Sequence, residues 1–281
     1  MNRPPVAEGG RRIDLHAHTT FSDGLLTPEE LVGHALARRL SALAITDHDS
    51  LEALPRARRA LDTTLELVPG IEISTALDGL DLHLLGYYVD ADDAALRARL
   101  ERFREERRER ALAIVERLKT LGAPVDGEQV LASAGPGVVG RPHIADALVR
   151  AGHVDSLDAA FRLYLGARGE AFVPRPAFRP VDAIALIHQA GGVSVLAHPG
   201  ANLPVSVVEL LVRQGLRGIE VWHPQHGATA VRHYRALAAK LGLLETGGSD
   251  FHGASRSADL GEIAVPFSVL AALKDAAGVA G

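Results

Sequence analysis

Histidines and acidic residues close the apolar runs of this chain in a pattern that points to metal chemistry. His16 and His18 follow the run Ile13 to Leu15 and stand one residue apart. On an extended backbone both imidazoles leave from the same face, so both can reach one ion. A second run, Ala42 to Ile45, leads into Thr46-Asp47-His48 and delivers further metal-competent side chains. Asp23, Glu72, His83, His198, Asp250 and His252 complete the candidate set, almost all in or just after an apolar segment. A single buried histidine is ordinarily a hydrogen-bonded core residue. Nine imidazoles and carboxylates gathered at one rim are another matter, because desolvation and repulsion weigh heavily against them unless cations compensate. That number exceeds the three or four ligands of a single zinc site, so two or three divalent ions sharing a bridging carboxylate are expected. Glu72, the only glutamate of the set and central in chain order, is the expected bridge.

The elements that must position these groups read as alternating strands and helices. Thr27-Pro28-Glu29-Glu30 has the form of a helix start, with Thr27 as N-cap, Pro28 in the first turn and Glu30 as capping-box partner. A strand over 42–46, a helix through Leu61 and a strand from Leu65 to Ser74 follow, and then Asp78-Gly79 signals a hairpin returning through His83 to Tyr87. From Asp92 to about Gly122 the pattern becomes one long charged helix, with further helical segments to Leu165. Acidic residues are interleaved among its arginines, which favours a solvated face over a nucleic-acid groove. Past Arg179 the alternation resumes, with strands ending at His198, near Val221 and at Gly247-Gly248-Ser249-Asp250. Strands alternating with helices argue for an α/β fold built on a parallel sheet, and this many suggest a barrel. The carboxyl ends of barrel strands gather on one face, where the candidate ligands would meet.

A chain of 281 residues accommodates such a barrel as one unit. The absence of cysteine excludes disulfides, thiolate metal sites and thiol nucleophiles, leaving nitrogen and oxygen as the only ligands. A net charge of -5 offers no general attraction to nucleic acid or anionic membranes, so an anionic substrate needs metal ions or placed arginines. No run approaches the length of a membrane span, and residues 1–12 lack the apolar core of a signal peptide, so a cytoplasmic location is expected.

His16-Ala17-His18, Ser22-Asp23-Gly24, Thr46-Asp47-His48, Gly70-Ile71-Glu72, Leu82-His83, Ala197-His198-Pro199 and Gly248-Ser249-Asp250-Phe251-His252 together resemble the motif series of the polymerase and histidinol phosphatase (PHP) family of phosphoesterases. The resemblance implies a distorted seven-stranded (β/α)7 barrel over 12–91 and 176–281, with an all-helical insertion over 92–175. It also implies a trinuclear centre: His16, His18, Glu72 and Asp250 around the first ion, Glu72, His83 and His198 around the second, and Asp23, His48 and His252 around the third. Manganese is the first expectation for the metal, with iron and zinc as alternatives.

Arg141-Pro142-His143-Ile144-Ala145 is similar to a motif of the small stand-alone members, which act on nucleoside 3′,5′-bisphosphates and on 5′ ends of RNA. Proline in the first turn opens a helix whose amides favour an anion, and Arg141 can fork onto a phosphate. His143 could bind the same phosphate or protonate the leaving oxygen, which with Glu72 and Asp250 makes the expected catalytic set. Arg168 and His223 are further candidates for lining the pocket, and Trp222 for stacking a base or filling the core. His34, His153, His188 and His233 read as structural.

The expected activity is hydrolysis of a nucleotide phosphomonoester, foremost the 3′-phosphate of a nucleoside 3′,5′-bisphosphate, by a hydroxide that bridges two ions. The second expectation is a 5′-to-3′ exonuclease on short RNA or DNA. The substrate is a small nucleotide or short RNA, and neither a membrane nor an obligate protein partner is expected. An amidohydrolase would use a similar barrel but usually a bridging lysine, and none of Lys119, Lys240 and Lys274 stands at a strand end. A metal-bound but silent module would be expected to lack ligands, whereas every position is filled.

Overall fold

A computed structural model describes residues 10–253 and 258–279 of the chain. Seven strands run in chain order: β1 (Arg12–Asp14), β2 (Leu40–Ile45), β3 (Glu66–Leu77), β4 (Leu80–Tyr87), β5 (Val193–Leu196), β6 (Gly218–Trp222) and β7 (Leu244–Gly247). They form one sheet in that same order. β1, β2 and β3 are parallel neighbours, as are β5, β6 and β7, while β4 is antiparallel to both β3 and β5. The sheet is therefore mixed: parallel on either side, as the alternation of strands and helices implied, with β4 running back through the hairpin signalled by Asp78-Gly79. The cause is local: Asp78 (φ 48°) and Gly79 (φ 84°) make the two-residue turn with both central residues at positive φ that sends a strand straight back.

The sheet curls until its edges meet. Among the described residues no continuous ladder joins β1 to β7. Single bonds do so instead: the Leu15 amide donates to the Gly247 carbonyl at 3.2 Å, and beyond the strand ends the His18 amide donates to the Phe251 carbonyl at 2.8 Å. The result is the distorted (β/α)7 arrangement, with strand ends drawn together around His16 to His18.

Successive strand residues supply opposite faces of the sheet. Leu43, Ile45, Ile71, Ile73, Leu84, Leu196, Ile219 and Val221 pack outward against helices α1 (Pro28–Ala37), α2 (Leu54–Ala60), α7 (Pro180–Gln189), α8 (Val205–Arg213) and α9 (Ala228–Leu241). Their neighbours Ala42, Ala44, Val68, Leu85, Tyr87, Val193 and Val195 fill the other side together with α10 (Ser268–Ala277). The capping box expected at α1 is present, with the Thr27 amide donating to Glu30 Oε2 at 2.8 Å and the Glu30 amide to Thr27 Oγ1 at 3.3 Å.

Between β4 and α7 come α3 (Ala94–Thr120), α4 (Gly127–Ser133), α5 (Arg141–Arg150) and α6 (Leu157–Ala160), the last continuing as one π-helical turn, Phe161–Leu165. They have a core of their own, including Ala111, Ile114, Leu118, Val130, Ile144 and Leu148. The 27-residue α3 is shared: Leu96 and Phe103 in its first half pack into the barrel core, and its second half packs into the helical one. Among the described residues no helix is long and apolar enough to cross a membrane.

Candidate active site

At the carboxyl end of the curled sheet the side chains converge as the spacing of the histidines requires. The Nε2 atoms of His16 and His18 both face Glu72 Oε2, at 3.5 and 3.2 Å, and both face Asp250 Oδ1, at 3.3 and 3.2 Å. His48 Nδ1 lies 3.0 Å from Glu72 Oε2, while His83 Nδ1 and His198 Nε2 each lie 2.8 Å from Glu72 Oε1. Asp23 Oδ1 is 3.2 Å from His252 Nε2, and Asp23 Oδ2 is 3.8 Å from His48 Nε2. All nine expected residues thus share one cluster with Glu72 at its centre.

Four subsets bring their donor atoms within 4.8 Å of one another: His18, Asp23, His48 and His252; His16, His18 and Glu72; His16, His198 and Asp250; and His48, Glu72 and His83. His16, His18, His48 and Glu72 each belong to two subsets, so the cluster is continuous. His16 Nε2, His18 Nε2, His48 Nδ1 and Glu72 Oε2 are fully buried and have no hydrogen-bond partner despite this crowding. Buried polar atoms are rarely left so. Imidazole nitrogens and carboxylate oxygens crowded this closely around shared points are a donor set that could hold metal ions.

The electrostatics agree. Burial alone would raise the carboxyls of Glu72 and Asp250, yet the surrounding imidazoles hold both well below the ordinary range, His48 and His83 foremost for Glu72 and His16 for Asp250. Burial opposes charge on His18, but hydrogen bonds and charges of Asp250 and Glu72 lift it to about 10. His83 goes the other way: burial, aided by His48 and His198, outweighs Glu72 and brings it down to about 4.

Polar residues behind the cluster fix its geometry. Glu220 accepts from His16 Nδ1 at 3.0 Å and from the His198 amide at 2.7 Å, which orients one imidazole and anchors the loop of the other. Asp14 accepts from the amides of His16, Ser249 and Gly261 and so ties the first motif to the last. Asp47, expected among the metal-competent groups, turns aside to bind the amide and hydroxyl of Thr19 and the hydroxyl of Ser22, which in turn lies 3.3 Å from His18 Nδ1. His223 Nε2 lies 3.3 Å from Asp250 Oδ2. His198 (φ 23°) and Asp250 (φ 51°), both in the cluster, hold left-handed backbone conformations that side chains seldom adopt. Gly248 must be glycine, since a Cβ there would stand 2.4 Å from the His16 amide nitrogen.

Beside the cluster lies a cavity of about 110 Å³ bounded by Asp23, His48 and His83 on one side and by Arg107, Arg110, Arg141 and Arg175 on the other. Three of the guanidiniums are anchored by an edge: Arg107 on Asp49 and Ser74, Arg110 on the Val173 carbonyl at 2.8 Å, Arg141 on the Leu165 carbonyl at 3.2 Å. Arg175 Nη1 is buried without a partner. Burial, then the neighbouring charges of Arg141, Arg175 and Arg107, press Arg110 down to about 9; burial and Arg107 press Arg175 to about 10. Four guanidiniums this close want an anion.

Of the expected substrate residues, Arg141 lines this cavity, whereas Arg168 lies exposed in the loop after the π-helical turn and outside the cavity wall. His143 Nδ1 accepts from the Gly140 amide at 3.1 Å, closing the first turn of α5. Trp222 packs against the core, with the Arg235 guanidinium 5.8 Å from its ring. His34, His153 and His188 are engaged structurally, with Asp259, the Pro124 carbonyl and Ser194. Arg107, Arg110, Arg175, Asp49 and Glu220 were not singled out from the sequence. For the two helical arginines a signal existed: the apolar stripe Leu96, Leu100, Phe103 and then Ala111, Ile114 and Leu118 passes through positions 107 and 110.

A curled mixed sheet with a buried cluster of metal-competent donors at its carboxyl end, flanked by arginines, defines a metal-dependent hydrolase acting on phosphate esters. A PHP domain model matches residues 14–122. The chain is 38% identical over 247 residues to the 5′-3′ exoribonuclease Rnm of Salmonella typhimurium strain LT2, covering 85% of this chain and 84% of that one. It is 34% identical over 248 residues to the 3′,5′-nucleoside bisphosphate phosphatase of Chromobacterium violaceum, covering 85% and 87%. A candidate metal-dependent phosphoesterase from Bifidobacterium adolescentis superposes with a TM-score of 0.88 at 33% identity, over 95% of this chain and 96% of that one. The protein belongs to the PHP family of metal-dependent phosphoesterases.

Proposed function

We propose that the chain hydrolyses the 3′-phosphate of nucleoside 3′,5′-bisphosphates, and that His16, His18, Asp23, His48, Glu72, His83, His198, Asp250 and His252 hold two or three divalent ions, manganese first. The observation that carries this reading is the arginine cavity. A simple monoester offers one phosphate, which the metal cluster satisfies; four guanidiniums a few side chains away call for a second. The bound ions supply a water of lowered pKa as nucleophile and neutralise the charge of the attacked phosphate.

The protein's own groups do the rest. Arg107, Arg110, Arg141 and Arg175 hold the phosphate that is not cleaved and thereby set the distance of the other from Glu72 and Asp250. His223 orients Asp250 from behind. His143, whose Nδ1 accepts from the Gly140 amide, carries its proton on Nε2 and donates it in a hydrogen bond to a phosphate oxygen. Residues 92–175 act as the substrate-selecting insertion, and the enzyme works in the cytoplasm without an obligate protein partner.

A second reading, 5′-to-3′ exonuclease action on short RNA, is favoured by the same cavity, which would take a terminal 5′-phosphate. Assay with added manganese separates them. Release of phosphate from adenosine 3′,5′-bisphosphate at higher kcat/KM than shortening of a 5′-phosphorylated oligonucleotide supports the first reading, the reverse supports the second, and activity on neither defeats both.

A further inference from the structure

Among the described residues two cavities open onto the cluster. The arginine cavity reaches it through His48, His83 and Asp23. A second, of about 500 Å³ and more open, reaches it from the other side through Asp23 and His252, and its remaining wall includes Pro142, Leu157, Asp158 and Phe161. The size is that of a small-molecule site. Pro142 and Phe161 face both spaces, so these two side chains form the partition between them.

The chemistry of the two sides is opposite. Four arginines line the first; among the described residues no arginine or lysine lines the second, where the non-histidine charges are the carboxylates of Asp23 and Asp158. A phosphate placed beside Asp158 would be repelled, so the second space suits an uncharged group with a flat face and hydrogen-bond donors. Phe161 supplies the matching surface. It is the first residue of the π-helical turn, whose closing bond runs from the Gly166 amide to the Phe161 carbonyl at 2.7 Å. Such turns interrupt α-helices mostly at functional sites. The Arg141 guanidinium stands 5.8 Å from the Phe161 ring centre, so the ring is backed by a cation on its arginine-cavity side.

We infer that the 500 Å³ cavity is the nucleoside subsite: the base stacks on Phe161 against Pro142 and Leu157, and the Asp158 carboxylate accepts from a donor on the base edge. The inference rests on the phosphoesterase reading above and adds the position of the base. The ribose then sits beside Asp23, with one of its phosphates among the arginines, the other at the cluster and its base beyond Asp23 and His252. Asp158 also sets a limit on length, because a further nucleotide would bring its phosphate toward that carboxylate.

The test compares adenosine 3′,5′-bisphosphate with its base-free analogue, 1-deoxyribose 3,5-bisphosphate, on the manganese-loaded enzyme and on Phe161→Ala and Phe161→Tyr. A stacked base is worth roughly 1–3 kcal/mol, so Phe161→Ala should raise KM for the nucleotide about 5- to 100-fold while changing KM for the analogue less than about twofold. Phe161→Tyr, which keeps the ring, should restore the nucleotide KM to within about threefold. An equal rise for both substrates, or none for either, overturns the subsite. If the unaltered enzyme releases phosphate from neither compound, the phosphoesterase reading itself has failed; release from both with no difference between them removes only the base subsite.

Discussion

Arg107, midway along α3, gives both Nε and Nη2 to Asp49 Oδ2, at 2.8 and 2.5 Å, and thereby ties the helical insertion to the residue that follows His48. Both partners are nearly withdrawn from solvent, at 12% and 2% exposure of their side chains. The other Asp49 oxygen accepts from the Ser74 amide at 2.9 Å, and Arg107 Nη2 also reaches Ser74 Oγ at 3.0 Å.

Breaking that pair should cost stability as well as substrate binding. Arg107→Ala leaves a buried carboxylate without its cation, a loss of about 3–5 kcal/mol. Asp49 holds a φ of 51°, which asparagine tolerates far better than most side chains, so Asp49→Asn should be milder than Asp49→Ala. Denaturant melts of the three variants should rank them in that way; equal midpoints for Arg107→Ala and the unaltered chain would show that the pair contributes nothing.

Glu220 should matter to metal retention more than to folding. Removing the acceptor behind His16 Nδ1 and the His198 amide ought to weaken metal binding about 10- to 100-fold. Glu220→Ala is therefore expected to lose metal on dialysis while keeping its circular dichroism, and Glu220→Gln, which still accepts a hydrogen bond, to lose less. Full metal content in the alanine variant after dialysis against a weak chelator would count against this role.

Arg110 and Arg175 should act on the substrate alone. Among the described residues neither has a carboxylate within ion-pair distance, so removing one strands no buried acid, and each charge-assisted bond to phosphate is worth about 1.5–3 kcal/mol. Arg110→Ala and Arg175→Ala should each raise KM for a bisphosphate by roughly ten- to a hundredfold, with metal content unchanged and little change for p-nitrophenyl phosphate, which has no second phosphate. A parallel loss with both substrates would place these arginines at the reacting phosphate instead.

Metal loading should release protons. Without cations the carboxylates around His18 lift its pKa to about 10, so at pH 8 that imidazole is charged and must give up its proton to become a ligand. The sign follows: affinity rises with pH toward that value and falls as the pH is lowered. Calorimetric titration of manganese at pH 8 in two buffers of different ionisation enthalpy should differ by about one proton per chain or more, and identical heats would contradict the proposal that His18 is a ligand.

The convergence of the histidine and carboxylate cluster was legible because its rule is short-ranged. A histidine pair two apart at the end of an apolar run has one geometric reading, and the same holds for an acidic or imidazole group closing a strand. Asp47 shows the limit of that rule: it sits at a strand end beside His48, but Thr19 and Ser22 offer it three hydrogen bonds and it faces them. The arginine cavity was hidden for a different reason. Arg107 and Arg110 lie in a run where charges of both signs alternate so densely that the solvated reading is natural, and only the apolar stripe on either side betrays that positions 107 and 110 turn inward. Arg175 comes from a loop with no periodicity at all. Glu220 did carry a sign, a lone carboxylate inside the apolar run Ile219 to Trp222, but what it braces lies on distant strands and becomes visible only when they are assembled.

The sharing of α3 between two cores has a mechanical consequence. A helix of 27 residues is about 40 Å long. Its first half is clamped to the barrel by Leu96 and Phe103, its second half carries the insertion, and Arg107 and Arg110 stand where one grip gives way to the other. They occupy the fulcrum of a lever. A tilt of the insertion would carry Leu157, Asp158 and Phe161 through an arc and reshape the larger cavity, while the arginines, close to the pivot, would hardly move. Arg107 and Arg110 would thereby stay in register with Glu72, while Arg141, carried on α5, would travel with the insertion.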